Sequence, residues 1–239
     1  MAEQARTDAA DDACTAAATD AGATALLVID MQRDFCEAGG YADQAGLDIA
    51  RLSGVIDNIA ALLAAARTAG MAVIYTREGH LPDLSDCPPV KRLRSRQGGA
   101  EIGSNGPMGR LLIRGEHGQD VIDRLAPQAG EVVIDKPGYG AFHRTGLQQV
   151  LSERGIVHLI LCGVTTEVCV HSTLREAIDR GYACVTVADA CAASQARLQE
   201  PALAMIGVEG GIFGQVRSTA ELLAKVHTRP EASSDRCTG

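Results

Sequence analysis

The chain has 239 residues, of which 46% are hydrophobic and 22% charged; this suits one large domain with a full core and excludes a disordered or fibrous chain. A formal net charge of -8 and 3% aromatic residues, with no Trp, provide neither a basic face for a phosphate backbone nor a platform for stacking bases, so nucleic acid is not an expected partner. No run of about 18 uninterrupted apolar residues occurs, so no membrane span is expected.

Residues 1–23, rich in Ala and Asp, read as a disordered acidic leader that lacks the basic and apolar regions of a secretory signal. The short apolar run Ala25–Met31 predicts a first strand. Ala72–Thr76, Val132–Ile134, His158–Cys162, Cys184–Val187 and Ile212–Val216 predict further strands, and their unbroken apolar character suits a parallel sheet buried on both faces. Helical patterns lie between them. Leu52, Val55, Ile56, Ile59, Leu62 and Leu63 recur at three- and four-residue spacing, with Gly70 as the stop. Further helices are expected over Leu147–Arg154, Cys169–Arg180, within Ala196–Val208, and over Ala220–Val226. This alternation predicts an α/β fold, a doubly wound parallel sheet flanked by helices, over 24–227. Residues 228–239 read as a flexible tail. The segment Arg77–Gly118 breaks the rhythm with three Pro, a basic run (Lys91, Arg92, Arg94, Arg96) and many Gly; it reads as a long structureless loop. Its basic run suits a solvated face, a subunit contact or a substrate contact. The eight Cys contain no Cys-x-x-Cys pair, so neither a zinc ribbon nor a dithiol motif is supported and reduced thiols in a cytoplasmic protein are expected.

Ligands of an open parallel sheet sit outside the carboxyl ends of its strands. Asp30 ends the first predicted strand, Lys136 follows the third by two residues, and Cys169 opens a predicted helix seven residues after Cys162. A helix N-terminus and a neighbouring ammonium lower a thiol's pKa, and a carboxylate can take its proton and pass it to a leaving amine. Each residue also has a structural use: Cys in a core, Asp as a cap, Lys in solvent.

Three blocks carry a resemblance. LLVIDMQRDF (Leu26–Phe35), IDKPGYGAFHRTGL (Ile134–Leu147) and LCGVTTEVCVHSTLREAIDRGY (Leu161–Tyr182) resemble the isochorismatase-like cysteine hydrolases in order and spacing, over about residues 24–226. The resemblance implies a six-stranded parallel sheet and an Asp-Lys-Cys triad at Asp30, Lys136 and Cys169. It also implies a cis peptide between Val164 and Thr165, with the amides of Thr165 and Cys169 forming an oxyanion hole. A homotetramer or dimer acting on a small molecule without a cofactor is implied as well. Metal-binding members carry an Asp-x-His pair after the second strand; here Thr76-Arg77-Glu78-Gly79-His80 offers a single His, so no metal is expected.

The blocks TREGHLPDLSDCPPVKRLRS, CEAGGYAD and GGIFGQV resemble the biuret hydrolase branch, which cuts carbamoyl C–N bonds of small linear ureas. By the same resemblance Phe35, Gln32, Phe142 and Tyr139 are expected to contact substrate, with His143 nearby. Arg77 and Glu78 are expected to line the mouth or pair with each other on the surface. Glu209 stands where that branch has Gln. A carboxylate accepts the donor fork of a guanidinium, which favours guanylurea; if Glu209 points away from the pocket, biuret, triuret or ureidoacrylate remain the alternatives. A catalytically silent binding protein of the same fold is a rival from another class.

Overall fold

The computed structural model describes residues 20–227. The expected tail and most of the expected leader lie outside them; within 20–23, Ala21 is buried and the Ala23 carbonyl accepts from Val157 and His158.

Six strands form the sheet: β1 (Thr24–Ile29), β2 (Ala72–Glu78), β3 (Val132–Lys136), β4 (His158–Val164), β5 (Ala183–Ala192) and β6 (Gln215–Arg217). Their spatial order is β3-β2-β1-β4-β5-β6, and every pairing is parallel. The order reverses beside β1, which makes that strand's carboxyl end the switch point where a crevice opens. Strand β1 is buried throughout because successive side chains enter two different cores. Leu26 and Val28 pack with Ile59, Leu62, Leu63 and Ala66 of α1 (Ile56–Thr68), while Leu27 and Ile29 face Leu147 and Leu151 of the helix Leu147–Glu153 on the opposite side.

The longer of the remaining helices complete the two outer layers. In chain order after α1 they are α2 (Pro89–Gln97), α3 (Leu147–Glu153), α4 (His171–Asp179), α5 (Ala196–Ala204) and α6 (Thr219–His227). Leu222 of α6 joins the core of α1, and Leu174 and Ala177 of α4 join that of α3. Residues 49–68 are long and apolar enough to cross a membrane by composition, with a mean hydropathy of 1.5. Here they form two helical pieces, Ile49–Ser53 and α1, whose apolar stripe covers the sheet.

Several expectations change, and the strands expected at Val132–Ile134, His158–Cys162 and Cys184–Val187 run on to Lys136, Val164 and Ala192. The expected sixth strand begins at Gln215 rather than Ile212, because Gly214 has φ +106° and a Cβ there would lie 2.2 Å from the Cys184 carbonyl. The expected helix Cys169–Arg180 is a π-helical turn, Thr166–Val170, running into α4. Strand β2 runs two residues further than Thr76. The segment Arg77–Gly118 is not structureless: it holds the end of β2, helix α2 and a small hairpin pairing Asn105–Gly106 with Gly109–Arg110. Pro89 pre-sets the first turn of α2, and Arg92 and Arg96 clamp Glu101 beyond its end. Its sequence hides the helix because only Lys91 and Ser95 are buried, so no apolar stripe exists.

Candidate active site

Strand register delivers the reactive groups to one edge. Ile29 pairs with Thr76 on one side and Gly163 on the other, so Asp30 emerges between β2 and β4, and Glu78 pairs directly with Lys136. Asp30 has φ +51°, a left-handed conformation that Asp tolerates. Its Oδ1 accepts from the Thr76 hydroxyl at 2.7 Å. Gly163 is required one strand over: it has φ +118°, and a Cβ would lie 2.0 Å from the Ile29 carbonyl. The following peptide, Val164–Thr165, is cis. The π-helical turn then carries Cys169 back over the end of β1 and β2.

Lys136, with its side chain fully buried, ties the cluster together. Its Nζ lies 2.8 Å from Asp30 Oδ2, 3.7 Å from Glu78 Oε2 and 3.6 Å from Cys169 Sγ. It also donates to the carbonyls of Gly138 and Tyr139 at 3.0 Å each. The Cys169 thiol donates to Glu78 Oε2 at 3.6 Å. Asp30, Glu78 and Cys169 thus bring three ligand-type atoms within 4.8 Å of one another, and the cation they surround is the Lys136 ammonium. His80, weighed above as a lone metal ligand, instead places Nδ1 3.2 Å from Asp86.

Burial dominates the electrostatics. It raises the Asp30 carboxyl, with Glu78 adding to the effect and Lys136 opposing it. It also raises the Cys169 thiol well above the ordinary range; Lys136 opposes this, while Asp30 and Glu78 reinforce it. The expected lowering of that thiol is therefore corrected: two carboxylates and burial outweigh one ammonium, and the resting sulfur keeps its proton. For Lys136, burial disfavours the charge, but Asp30, Cys169 and Glu78 outweigh it and raise the ammonium's pKa. For Glu78, burial is outweighed by Lys91 and Lys136, which hold the carboxyl below its usual value.

A cavity of about 260 Å³ opens over Cys169. Phe35, Leu47 and Val168 line it with apolar surface; Tyr41, Tyr139, Thr165 and Ser194 bring hydroxyls; Glu78 brings a carboxylate. Of the residues expected to contact substrate, Phe35 and Tyr139 line this cavity and three do not. Gln32 is fully buried and spends its amide on the backbone N–H and C=O of Glu78, at 2.7 and 2.8 Å. Phe142 stacks on Tyr182 in the core beneath α4. Glu209 is exposed, in a left-handed turn with φ +52°. His143 lines a neighbouring cavity of about 370 Å³ that shares Tyr139.

Of the two places expected for Glu78, the structure shows the first: it lines the cavity. Glu78 does not pair with Arg77, which binds Asp120 and Asp135 instead. Extending the β2 alternation past Thr76 puts Glu78 on the same face as Thr76, a signal that was available. Lys91 leaves the basic run to reach Glu78 Oε1 at 2.6 Å, a contact that no local pattern announces.

The family match agrees with this geometry. The Isochorismatase domain family matches residues 24–221. The chain is 39% identical over 178 residues to ureidoacrylate amidohydrolase RutB of Serratia proteamaculans, covering 70% of this chain and 68% of the relative. It is 38% identical to the protein of that name from Methylorubrum extorquens, covering 85% and 82%. A cysteine hydrolase structure from Pseudomonas syringae pv. phaseolicola superposes with a TM-score of 0.74 at 32% identity, covering 87% of this chain and 94% of that one. These relatives bear the ureidoacrylate name, so they support the family and not the finer biuret assignment. With its domain match, its six-stranded parallel sheet and these relatives, the chain belongs to the isochorismatase domain family.

Proposed function

We propose that this chain is a cysteine-dependent amidohydrolase that cleaves the carbamoyl C–N bond of a small ureido compound of the ureidoacrylate type. The observation that carries the reading is the buried Cys169 sulfur, 3.6 Å from both Lys136 Nζ and Glu78 Oε2, beneath a cavity of about 260 Å³. The substrate class follows the names of the relatives at 36–39% identity.

In this mechanism Asp30, whose carboxyl is raised by burial, takes the proton of Cys169 as substrate displaces water. The sulfur attacks the carbamoyl carbon, and the C=O electron pair moves to oxygen. The amides of Thr165 and Cys169, with Lys136 beside them, hold that charge. The C–N bond then breaks, the nitrogen leaves with the proton held by Asp30, and water releases the carbamoyl group from sulfur.

A second reading, biuret or triuret, is favoured by one observation. Among the described residues, no Arg, Lys or His lines the cavity, so a substrate carboxylate would meet hydroxyls and not a cation. Guanylurea has less support, because Glu209 lies outside the lining.

Ammonia release from ureidoacrylate, biuret, triuret, guanylurea and nicotinamide, measured side by side, tests the proposal. Turnover of the ureido compounds and not of nicotinamide is expected. No hydrolysis of any carbamoyl compound by the folded enzyme would sink it.

A further inference from the structure

Lys91 is a buried lysine in an otherwise solvated basic run, and the reaction steps above leave it without a part. It projects from the first turn of α2 into the site. Its Nζ lies 2.6 Å from Glu78 Oε1, donates to the Pro137 carbonyl at 2.6 Å, and sits 4.8 Å from the Tyr139 ring centroid. Gln32 holds the backbone of Glu78 from the other side, so this residue is fixed both at its backbone and at its carboxylate. One oxygen belongs to Lys91, while the other faces Cys169 and Lys136.

We propose that Lys91 is a positioning residue for the hydrolysis: by gripping Oε1 it keeps Glu78 ionised and turns Oε2 toward the reacting sulfur. An ionised oxygen there can only accept, so it holds the N–H of a carbamoyl nitrogen and sets the carbonyl carbon over Cys169. A protonated Glu78 would present a donor to that N–H and lose the alignment. What the ionised oxygen does rests on the amidohydrolase reading; the grip of Lys91 on Glu78 does not.

Other groups also face Glu78. Asp30 beyond β1, Lys136 of β3 and Cys169 of the π-helical turn lie on its inner side. His80, Tyr41 and Tyr139 act on it through space from the neighbouring loops, as do Asp34 and Cys87. Of the two ammonium groups, Lys91 is the nearer, at 2.6 Å against 3.7 Å for Lys136. Without Lys91, burial and the Asp30 carboxylate both favour the protonated form of Glu78.

The test compares wild type, Lys91→Met, Lys91→Arg and the double variant Lys91→Met/Glu78→Gln. In Lys91→Met, kcat/KM is expected to fall on the order of 100-fold near neutral pH. Its acid limb should move up by roughly one pH unit or more, the effect of losing a close opposite charge. Lys91→Arg should restore the acid limb. The second readout is Tm between about pH 5 and about pH 8. In wild type the lowered Glu78 carboxyl adds stability that is lost as pH falls. In Lys91→Met a raised carboxyl adds stability that is lost as pH rises, so its Tm should drop relative to wild type across this range. The double variant should abolish that added slope. Lys91→Gln is read in the same way if the Met variant does not fold. A charge-free variant with the wild-type Tm slope overturns the proposal. If the wild-type enzyme hydrolyses no carbamoyl compound, the amidohydrolase reading fails by itself, and the Tm comparison still decides the role of Lys91.

Discussion

Cys169 combines two demands that pull against each other. It lies buried at the floor of the cavity, where an attack on a carbonyl carbon needs the thiolate, and burial beside Asp30 and Glu78 keeps it protonated. In the proposed mechanism the thiol is therefore deprotonated during the reaction and not stored as a thiolate. Iodoacetamide should accordingly label Cys169 slowly at neutral pH without substrate, and its rate should stay low past 9.0, where an ordinary thiol ionises, and climb only at higher pH. A fast neutral reaction at this residue would contradict the direction of its shift. Cys169→Ala should abolish ammonia release while circular dichroism and Tm stay close to wild type, since it trims one sulfur from a packed turn. Glu209→Gln should change turnover of every ureido substrate by less than about twofold, because an exposed side chain outside the cavity contributes little. A selective change for guanylurea would return Glu209 to the site. Asp30, Lys136 and Cys169 were legible because strand ends mark the ligand edge of a parallel sheet. Glu209, Gln32 and Phe142 stand outside the cavity lining, because resemblance aligns positions, whereas the direction of a side chain depends on its local turn and partners.

At the scale of elements, the turn that carries Cys169 is held by its neighbours more than by its own propensity. Gln199 of α5 accepts from the Thr166 hydroxyl and the Ala193 amide at 3.0 and 2.7 Å. Its Nε2 donates to the carbonyls of Cys191 and Ala188 at 3.0 and 3.2 Å. Glu167 extends the same clamp by accepting from the Ser194 amide, at 2.9 Å, and from its hydroxyl. Gln199→Leu keeps the volume but strands these partners, at about 1–3 kcal/mol for each buried group left unpaired. The expected result is a lower Tm together with a lower kcat, measured on the same preparation; a lower Tm with unchanged kcat would show that the turn stands without α5. The strands were readable from apolar runs and α1 from its periodicity. Helix α2 was not, because its buried residues are Lys91 and Ser95, and their burial depends on partners from β2 and on Pro137.

Across the described residues, two cores on opposite faces of one sheet bury most of the thiols, and this sets how stability responds to alkali. Burial pushes Cys36 and Cys191 up to about 12, does the same to the Tyr41 phenol, and raises Cys162 as well. An unfolded thiol ionises near 9.0. Between these values the folded state binds more protons than the unfolded one, so stability must fall as pH rises. Tm should hold between about pH 7 and about pH 8 and then decline steeply above about pH 9. A flat Tm to about pH 11 would mean that the buried thiols ionise without unfolding the chain. The sequence by itself determined what depends on near neighbours: apolar runs that had to be strands, glycines that had to end helices, and an acid, a lysine and a cysteine at or just beyond the carboxyl ends of strands. Only the tertiary structure decided which charges meet. Glu78 and Lys91 lie thirteen residues apart on a strand and a helix, and Lys136 reaches them from a third element. An ion pair forms where packing removes water from both partners, and that removal is a property of the assembled fold.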